Sequence, residues 1–420
     1  MMKLKRDPGK PLSRVVTAFY FLAFLLLFVR DCFLYGVGAA FLEHWQGLAL
    51  AFAVPLLNTA TTWLLPRLFP ADQLLLSLTN FLCALGLLML YRTSPAYAYQ
   101  QALYYFVGLV AMVICIYLVR IVRSFRLLVW PMMLLSLGLL VLPLLIGEEI
   151  YGATNWIRVG GMSLQPSEVV KLCLVIVIAR LMADGRFLPW VLYAGACLGV
   201  LMLQKDLGTA LLYFGTTLII YYAASGNLFI TGLGAAAGAG AAVAGYSMFS
   251  HVRRRVSVWL DPWKDYNDAG YQIIQSLMAI ASGGLFSVGL GLGSPTSIPV
   301  YHTDFIFAVI CEQFGLVFGL CVLLIYVALV WRGAAVAMAA RTRFHALLAM
   351  GCTVLLGLQT FVIIGGVLKL IPLTGVTMPF VSYGGTSLVS SLCLVGLLQG
   401  VSSLNEDGVR EDARLAGYSD

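Results

Sequence analysis

An all-α, polytopic membrane bundle of about twelve spans is the fold class this sequence predicts, and three observations predict it. Of 420 residues, 61% are hydrophobic and only 11% charged, whereas soluble domains run closer to half apolar and a quarter charged. Apolar runs long enough to cross a bilayer recur along nearly the whole chain. The connections between them are short, except for a polar, glycine-rich stretch from Ser250 to Thr303. Length alone would allow two or three soluble domains, but no segment is polar enough to form one, so a single bundle is expected.

Taken in order, Lys3, Lys5, Arg6, Lys10 and Arg14 precede the first apolar run with no clean small-residue cleavage site after it, which reads as an uncleaved first span. Further spans fall near 46–65, 73–92, 102–120, 126–146, 166–183, 188–204, 207–223, 227–249, 304–331, 344–369 and 381–403, after a first near 15–34. This topology puts Arg67, Arg120, Arg123, Arg126, Arg180, Arg186, Arg332, Arg341, Arg343, Arg410 and Arg414 on one face with the N-terminal cluster. The positive-inside rule makes that face cytoplasmic, with both termini on it. These segments account for most of the net charge of +7, and nothing in it calls for a nucleic-acid partner.

Two segments then lie on the outer face: the loop 147–165 and the stretch 250–303. The latter carries Arg253, Arg254, Arg255 and Lys264 where positive charge is not expected, so it suits either an anionic ligand or lipid headgroups. Within it, Gly270 to Ile280 has helical apolar spacing and a polar face but is too short to span, which predicts an interfacial helix. The glycines that follow, Gly283 and Gly284 through Gly293, permit close backbone approach to a ligand or serve as a hinge. The Gly and Ala run 232–245 sits inside a span, follows no strand, and is read as a close-packing surface. Nine cysteines are scattered through apolar stretches without a CxxC or a histidine cluster, so neither a disulfide frame nor a metal site is indicated.

Three polar constellations carry the candidate chemistry. Asp304 ends the long stretch at the mouth of an apolar helix; a carboxylate costs about 2.5–3.5 kcal/mol near mid-bilayer and much less at the interface, so it is either a working group or a helix cap. In the second, Pro166 suits the first helical position and Glu168 the positive end of the helix dipole. Lys171, three residues on, shares the face of Glu168. A pair at that depth faces protein or water, as a functional group or as a bridge orienting two helices. In the third, Asp206 stands before a short span as a cap or a functional residue.

These residues together resemble the SEDS family, the group of FtsW, RodA and SpoVE. The resemblance rests on Trp156-Ile157-Arg158, Gln165-Pro166-Ser167-Glu168 with Lys171, Asp206-Leu207-Gly208-Thr209, and Arg253 with Arg255-Val256. It continues through Leu260-Asp261-Pro262, Gly270-Tyr271-Gln272, Gln275-Ser276, Ser282-Gly283-Gly284, His302-Thr303-Asp304-Phe305, Glu312 and Val381-Ser382-Tyr383-Gly384-Gly385. It implies a glycosyltransferase that polymerises lipid II into peptidoglycan strands on the outer face of the bacterial cytoplasmic membrane. Asp304 is then the expected catalytic base. Arg158, Lys171, Arg253 and Arg255 become candidates to hold or shape the pyrophosphate site, because guanidinium grips phosphate in two-pronged fashion and ammonium acts as a point charge. Glu168 and Asp206 are expected to orient those cations, and Gln275, Ser276, Gly283, Gly284, His302, Thr303, Glu312, Ser382 and Tyr383 complete the expected substrate-binding set.

The resemblance further implies a core of about ten spans over 72–403, preceded by two extra spans within 1–71 and followed by a cytoplasmic tail, 404–420. Implied partners are lipid II, an undecaprenyl-pyrophosphate-linked glycan, membrane lipids and a class B penicillin-binding protein, since no transpeptidase motif occurs in this chain. No cofactor is required by the sequence, and a divalent cation bridging pyrophosphate and carboxylate stays an option without a dedicated ligand cluster. The chain departs from the family pattern at Lys205, placed to pair with Asp206, and at Gln313, where a second acid is usual. A lipid II flippase and a non-catalytic scaffold are the rival readings; neither accounts for the polar groups gathered at the outer side.

Overall fold

The computed structural model describes residues 9–36, 45–122, 125–150, 152–159, 162–266 and 269–415. Every expected span is a helix. They run α1 (Gly9–Tyr35), α2 (Trp45–Leu68), α3 (Gln73–Thr93), α4 (Pro95–Ile121), α5 (Val129–Ile146), α6 (Pro166–Ala183), α7 (Phe187–Leu203), α8 (Leu207–Ser225) and α9 (Leu228–Met248). After the shorter α10 (Ser250–Leu260) and α11 (Ala269–Gly283) come α12 (Ile306–Met338), α13 (Arg343–Val367) and α14 (Gly385–Leu415). Ten are long and apolar enough to cross a membrane by length and composition; the two others are α6, with three charged residues, and α7, with 17 residues.

The bundle is built around α3 and α14. In each, 89% of the most apolar stretch is buried, against 6% in α9. The small residues of α9 therefore do not serve a general packing surface: Gly234 and Gly238 lie against Leu218 and Phe214 of α8, and the rest of the helix faces outward. The two N-terminal helices are joined to the core through buried polar groups. The Asn58 amide donates to Thr17 Oγ1 (2.6 Å), Asn80 donates to Asn58 Oδ1 (3.0 Å) and Thr61 Oγ1 (2.7 Å), and the Tyr105 hydroxyl donates to Asn80 Oδ1 (2.8 Å). Such a network is stable in an apolar interior only when its members satisfy one another.

Four features differ from the sequence expectation. The loop after α5 is a small antiparallel sheet of β1 (Glu148–Ile150), β2 (Ala153–Val159) and β3 (Met162–Leu164), in the order β1-β2-β3. Strands this short carry almost no periodic signal, and pairing with neighbours, not propensity, decides them. The arginine-rich start of the long stretch is helix α10, and the expected interfacial helix follows as α11. Gly315, at φ +85°, breaks α12 just inside its start; a Cβ there would lie 2.5 Å from the Leu285 carbonyl oxygen. Finally, α14 continues as helix to Leu415, through residues expected to form a tail.

Arginines cluster at the end of the bundle opposite Asp304. Arg120 pairs with Asp407 (3.0 Å) and Arg126 with Asp184 (3.2 Å), while Arg332 reaches Asp72 and Arg341 reaches Asp412. Arg123 lies outside the described residues.

Close packing of α3 gives a stability test. A Cβ on Gly86 would lie 2.5 Å from the Val381 carbonyl oxygen, whereas Gly195 of α7 has nothing within 4 Å. Gly86→Ala is expected to cost about 1–3 kcal/mol by overpacking, and Gly195→Ala to be neutral or slightly stabilising. Thermal unfolding of the detergent-purified variants checks the contrast.

Candidate functional site

Asp304 sits just before α12, where the chain leaves the polar stretch, and is partly buried. Its neighbours come from α10 and from the segment 368–384 that joins α13 to α14. Arg255, on α10, donates from Nη1 to the Thr374 carbonyl (2.9 Å), and a Cβ on Gly375 would lie 3.7 Å from Oδ2 of Asp304. Gly375 adopts φ +76°, a conformation glycine takes without strain. Desolvation raises the Asp304 carboxyl to about 6 from an ordinary 3.8, against the opposing pull of hydrogen bonding with Thr303 and of the Arg255 charge. Arg255 is itself pulled down by desolvation and held up by the fields of Asp304 and Asp206. One guanidinium thus stands between two carboxylates.

The approach to Asp304 is fixed by backbone and aromatic contacts. His302 stacks on Tyr97 (4.7 Å between ring centroids) and meets Tyr383 edge-on (5.7 Å). Its carbonyl accepts from the Tyr383 backbone N–H (2.8 Å), and the Ser382 hydroxyl donates to the Thr303 carbonyl (2.5 Å). The Gln101 amide donates to the Ser382 carbonyl (2.9 Å), and the Tyr383 hydroxyl to Gln100. Val300 at φ +57° and Phe380 at φ +69° flank this knot in left-handed conformations unusual for such side chains. Backbone strain of this kind persists only where surrounding contacts enforce it.

Asp206 caps α8. Its carboxylate accepts from the Thr209 N–H (3.0 Å) and hydroxyl (2.9 Å), the Asn155 amide (2.8 Å) and the Gln165 amide (3.3 Å). The expected pairing with Lys205 is not formed: that residue, at φ +61°, turns toward Glu149 (3.9 Å). Four neutral donors already fill the lone pairs of Asp206, which removes the need for a cation partner. The start of α8 presses on the same segment that faces Asp304, with a Gly208 Cβ position 2.9 Å from the Thr374 carbonyl oxygen.

Glu168 and Lys171 lie behind that segment. Lys171, 3% exposed, is 2.5 Å from Glu168 and donates to Gln359 (3.2 Å), while Ser390 donates to Glu168 (2.7 Å). Gln359 in turn donates to the Thr377 carbonyl (2.9 Å). The pair therefore ties α6, α13 and α14 to the loop carrying Gly375.

The remaining expected residues occupy other places. Ser276 is buried on α11 and bonded to the Ile273 carbonyl (2.8 Å), and Gln275 beside it is half-buried. Gly283 lets α11 touch α12, since a Cβ there would lie 2.1 Å from the Cys311 carbonyl oxygen; Gly284, at φ +55°, follows. Glu312 accepts from the Ser294 N–H (2.9 Å). Gly291, at φ +87°, sits between two arginines: Arg92 donates to its carbonyl, and a Cβ would lie 2.5 Å from Arg92 Nε and 2.7 Å from Arg30 Nη1. Arg158, on β2, and Arg253, on α10, are exposed. Among the described residues, no group of three or more His, Cys, Asp or Glu side chains could hold a metal ion. Sequence reasoning missed Tyr97, Gln101, Gln359, Thr374, Gly375 and Thr377; for the last three, the break Pro372 to Pro379, with its two prolines, glycine and two threonines between apolar helices, was the available signal.

This architecture defines a polytopic helical membrane protein with a carboxylate and guanidinium site built from irregular segments at one end. Residues 72–407 match the family model FTSW_RODA_SPOVE, described as a cell cycle protein, and the chain belongs to this family. The peptidoglycan glycosyltransferase RodA of Mycobacterium tuberculosis is 35% identical over 369 residues, covering 79% of this chain and 78% of its own length. Stage V sporulation protein E of Bacillus subtilis is 33% identical over 362 residues, 79% of this chain and 96% of its own. A solved chain from work on the structural coordination of polymerization and crosslinking by a peptidoglycan synthase complex superposes with a TM-score of 0.68 at 31% identity, covering 80% of this chain and 98% of that one. The crystal structure of the Thermus thermophilus rod shape determining protein RodA gives 0.59 at 28% identity, covering 80% and 98%.

Glu168→Ala leaves the Lys171 charge buried without its carboxylate and is expected to cost about 3–5 kcal/mol. Glu168→Gln combined with Lys171→Met is expected to recover most of that loss, as read by melting in detergent.

Proposed function

We propose that this chain polymerises lipid II on the outer face of the membrane, with Asp304 as general base. It is a multi-pass membrane protein of the SEDS type and a peptidoglycan glycosyltransferase. The observation that carries the finer reading is the Asp304 carboxyl, raised to about 6 beside Arg255. A base works best when its titration lies near the operating pH.

In the reaction, Asp304 takes the proton of an acceptor sugar hydroxyl. The oxygen attacks the anomeric carbon of the donor glycan, the bond from that carbon to the undecaprenyl pyrophosphate breaks, and the pyrophosphate leaves with the electron pair. The charge growing on the leaving group needs fixed cations, which Arg255 and the exposed Arg253 and Arg158 supply from the same end of the bundle. Glu168, Lys171 and Asp206 act through the loop they support, by holding Thr374 and Gly375 against the carboxylate. The positive arginines at the opposite end support a cytoplasmic placement for that face and for both termini. A class B penicillin-binding protein is the proposed partner, in line with the synthase complex to which the fold is similar.

Purified wild type is expected to form long glycan from lipid II, and Asp304→Asn none, with the variant melting no lower than the wild type. Polymer from both would remove Asp304 as the base, and lipid moved across vesicles without polymer would favour a flippase. The rate of the wild type is expected to rise with pH through about 6, as the carboxylate ionises. Arg255→Gln removes a charge that lowers the Asp304 value, so the rising limb is expected to move to higher pH. The raised value also means that the folded state loses stability as pH climbs from about 3.8 through about 6, because the folded form binds the proton more tightly. Copurification with a class B transpeptidase is expected; full activity alone and no association would count against the partner.

A further inference from the structure

A polar cavity lies at the far end of the bundle from Asp304. It has a volume of about 290 Å³ and is lined by Arg126, Val129, Trp130, Leu181, Asp184 and Arg186, between the start of α5 and the end of α6. We propose that this cavity binds the phosphate of an anionic phospholipid headgroup.

The charge balance favours an anion. Arg180 donates to Asp184 from Nε (3.1 Å) and Nη2, and Arg126 reaches the same carboxylate at 3.2 Å. These contacts hold the Asp184 carboxyl below its usual range even though desolvation pushes the other way. One carboxylate thus meets Arg126 and Arg180, and Arg186 lines the same cavity, which leaves two positive charges over. Arg180 is spent on Asp184 and on the Phe344 ring face, 5.1 Å from its centroid. Arg126, 68% exposed, keeps donors free beyond its single contact, and the Arg186 guanidinium, unlike its backbone N–H, makes no hydrogen bond or ion pair with a described residue.

The surroundings favour a lipid over a soluble phosphate. Trp130 is half exposed at the rim, and Leu127, Phe187 and Leu188 are exposed next to it, an apolar collar around a cationic hole. Tryptophan with arginine at a helix end is the composition of a membrane interface, with the ring at headgroup depth and the guanidinium on phosphate. A soluble anion would gain nothing from that collar.

The test uses the full-length chain, delipidated in detergent, with lipid binding followed by native mass spectrometry. Phosphatidylglycerol is expected to be retained over phosphatidylcholine. The double variant Arg126→Ala, Arg186→Ala is expected to weaken phosphatidylglycerol binding by roughly thirtyfold, with the melting temperature unchanged because both side chains are at the surface. A control with equal charge removed from the same end, Arg410→Ala and Arg414→Ala, is expected to bind as the wild type does. Unchanged binding in the first variant, or an equal loss in the control, would overturn the site. Inorganic phosphate displacing phosphatidylglycerol at equal concentration would overturn its assignment to a lipid.

Discussion

Hydrocarbon offers no hydrogen bonds, and this one constraint arranges the whole molecule. A backbone amide in the bilayer must be satisfied within its own helix, so irregular chain is permitted only where protein or water covers it. Here the sheet β1 to β3, the approach to Asp304 and the segment 368–384 are all non-helical, and all collect at one end of the bundle. Their backbone groups find partners in one another and in polar side chains such as Gln101, Ser382 and Gln359. The site exists because several segments that cannot be helix must share one place.

Charge follows the same logic at two depths. The Glu168 and Lys171 pair is buried, and each member has a second, neutral partner, which offsets part of the desolvation that a bare pair would suffer. Asp304 has fewer partners and keeps its proton to a higher pH. Glu168 and Asp206 are thus saturated and brace their surroundings, whereas Asp304, with fewer partners, is held at a raised value.

The spans were legible because an apolar run of twenty residues has few alternatives to a membrane helix. Asp304, Arg255 and Asp206 were legible as out-of-place charges against that background. The β-strands were not, since β1 and β3 have three residues each, too few for a periodic pattern, and β2 is a strand only because those two pair with it. Nor were Thr374 and Gly375, which are ordinary turn residues until the folded chain sets them against Asp304. The role of α9 was misjudged for a related reason: small residues permit close packing but do not supply a neighbour, and only Gly234 and Gly238 meet one.

The contacts around Gly291 bear on how the Asp304 end of the bundle moves. Gly291 is held from α3 by Arg92, its N–H donates to Gln313, and the Ser294 N–H donates to Glu312, so the stretch before Pro295 is moored to α3 and α12. What remains between that mooring and the start of α12 is a short arm with Asp304 near its tip. A short arm has few accessible shapes, so little entropy is lost in holding the Asp304 carboxylate at one place. The central helix α3, among the most deeply buried in the bundle, is thus also one of the two posts to which that arm is tied.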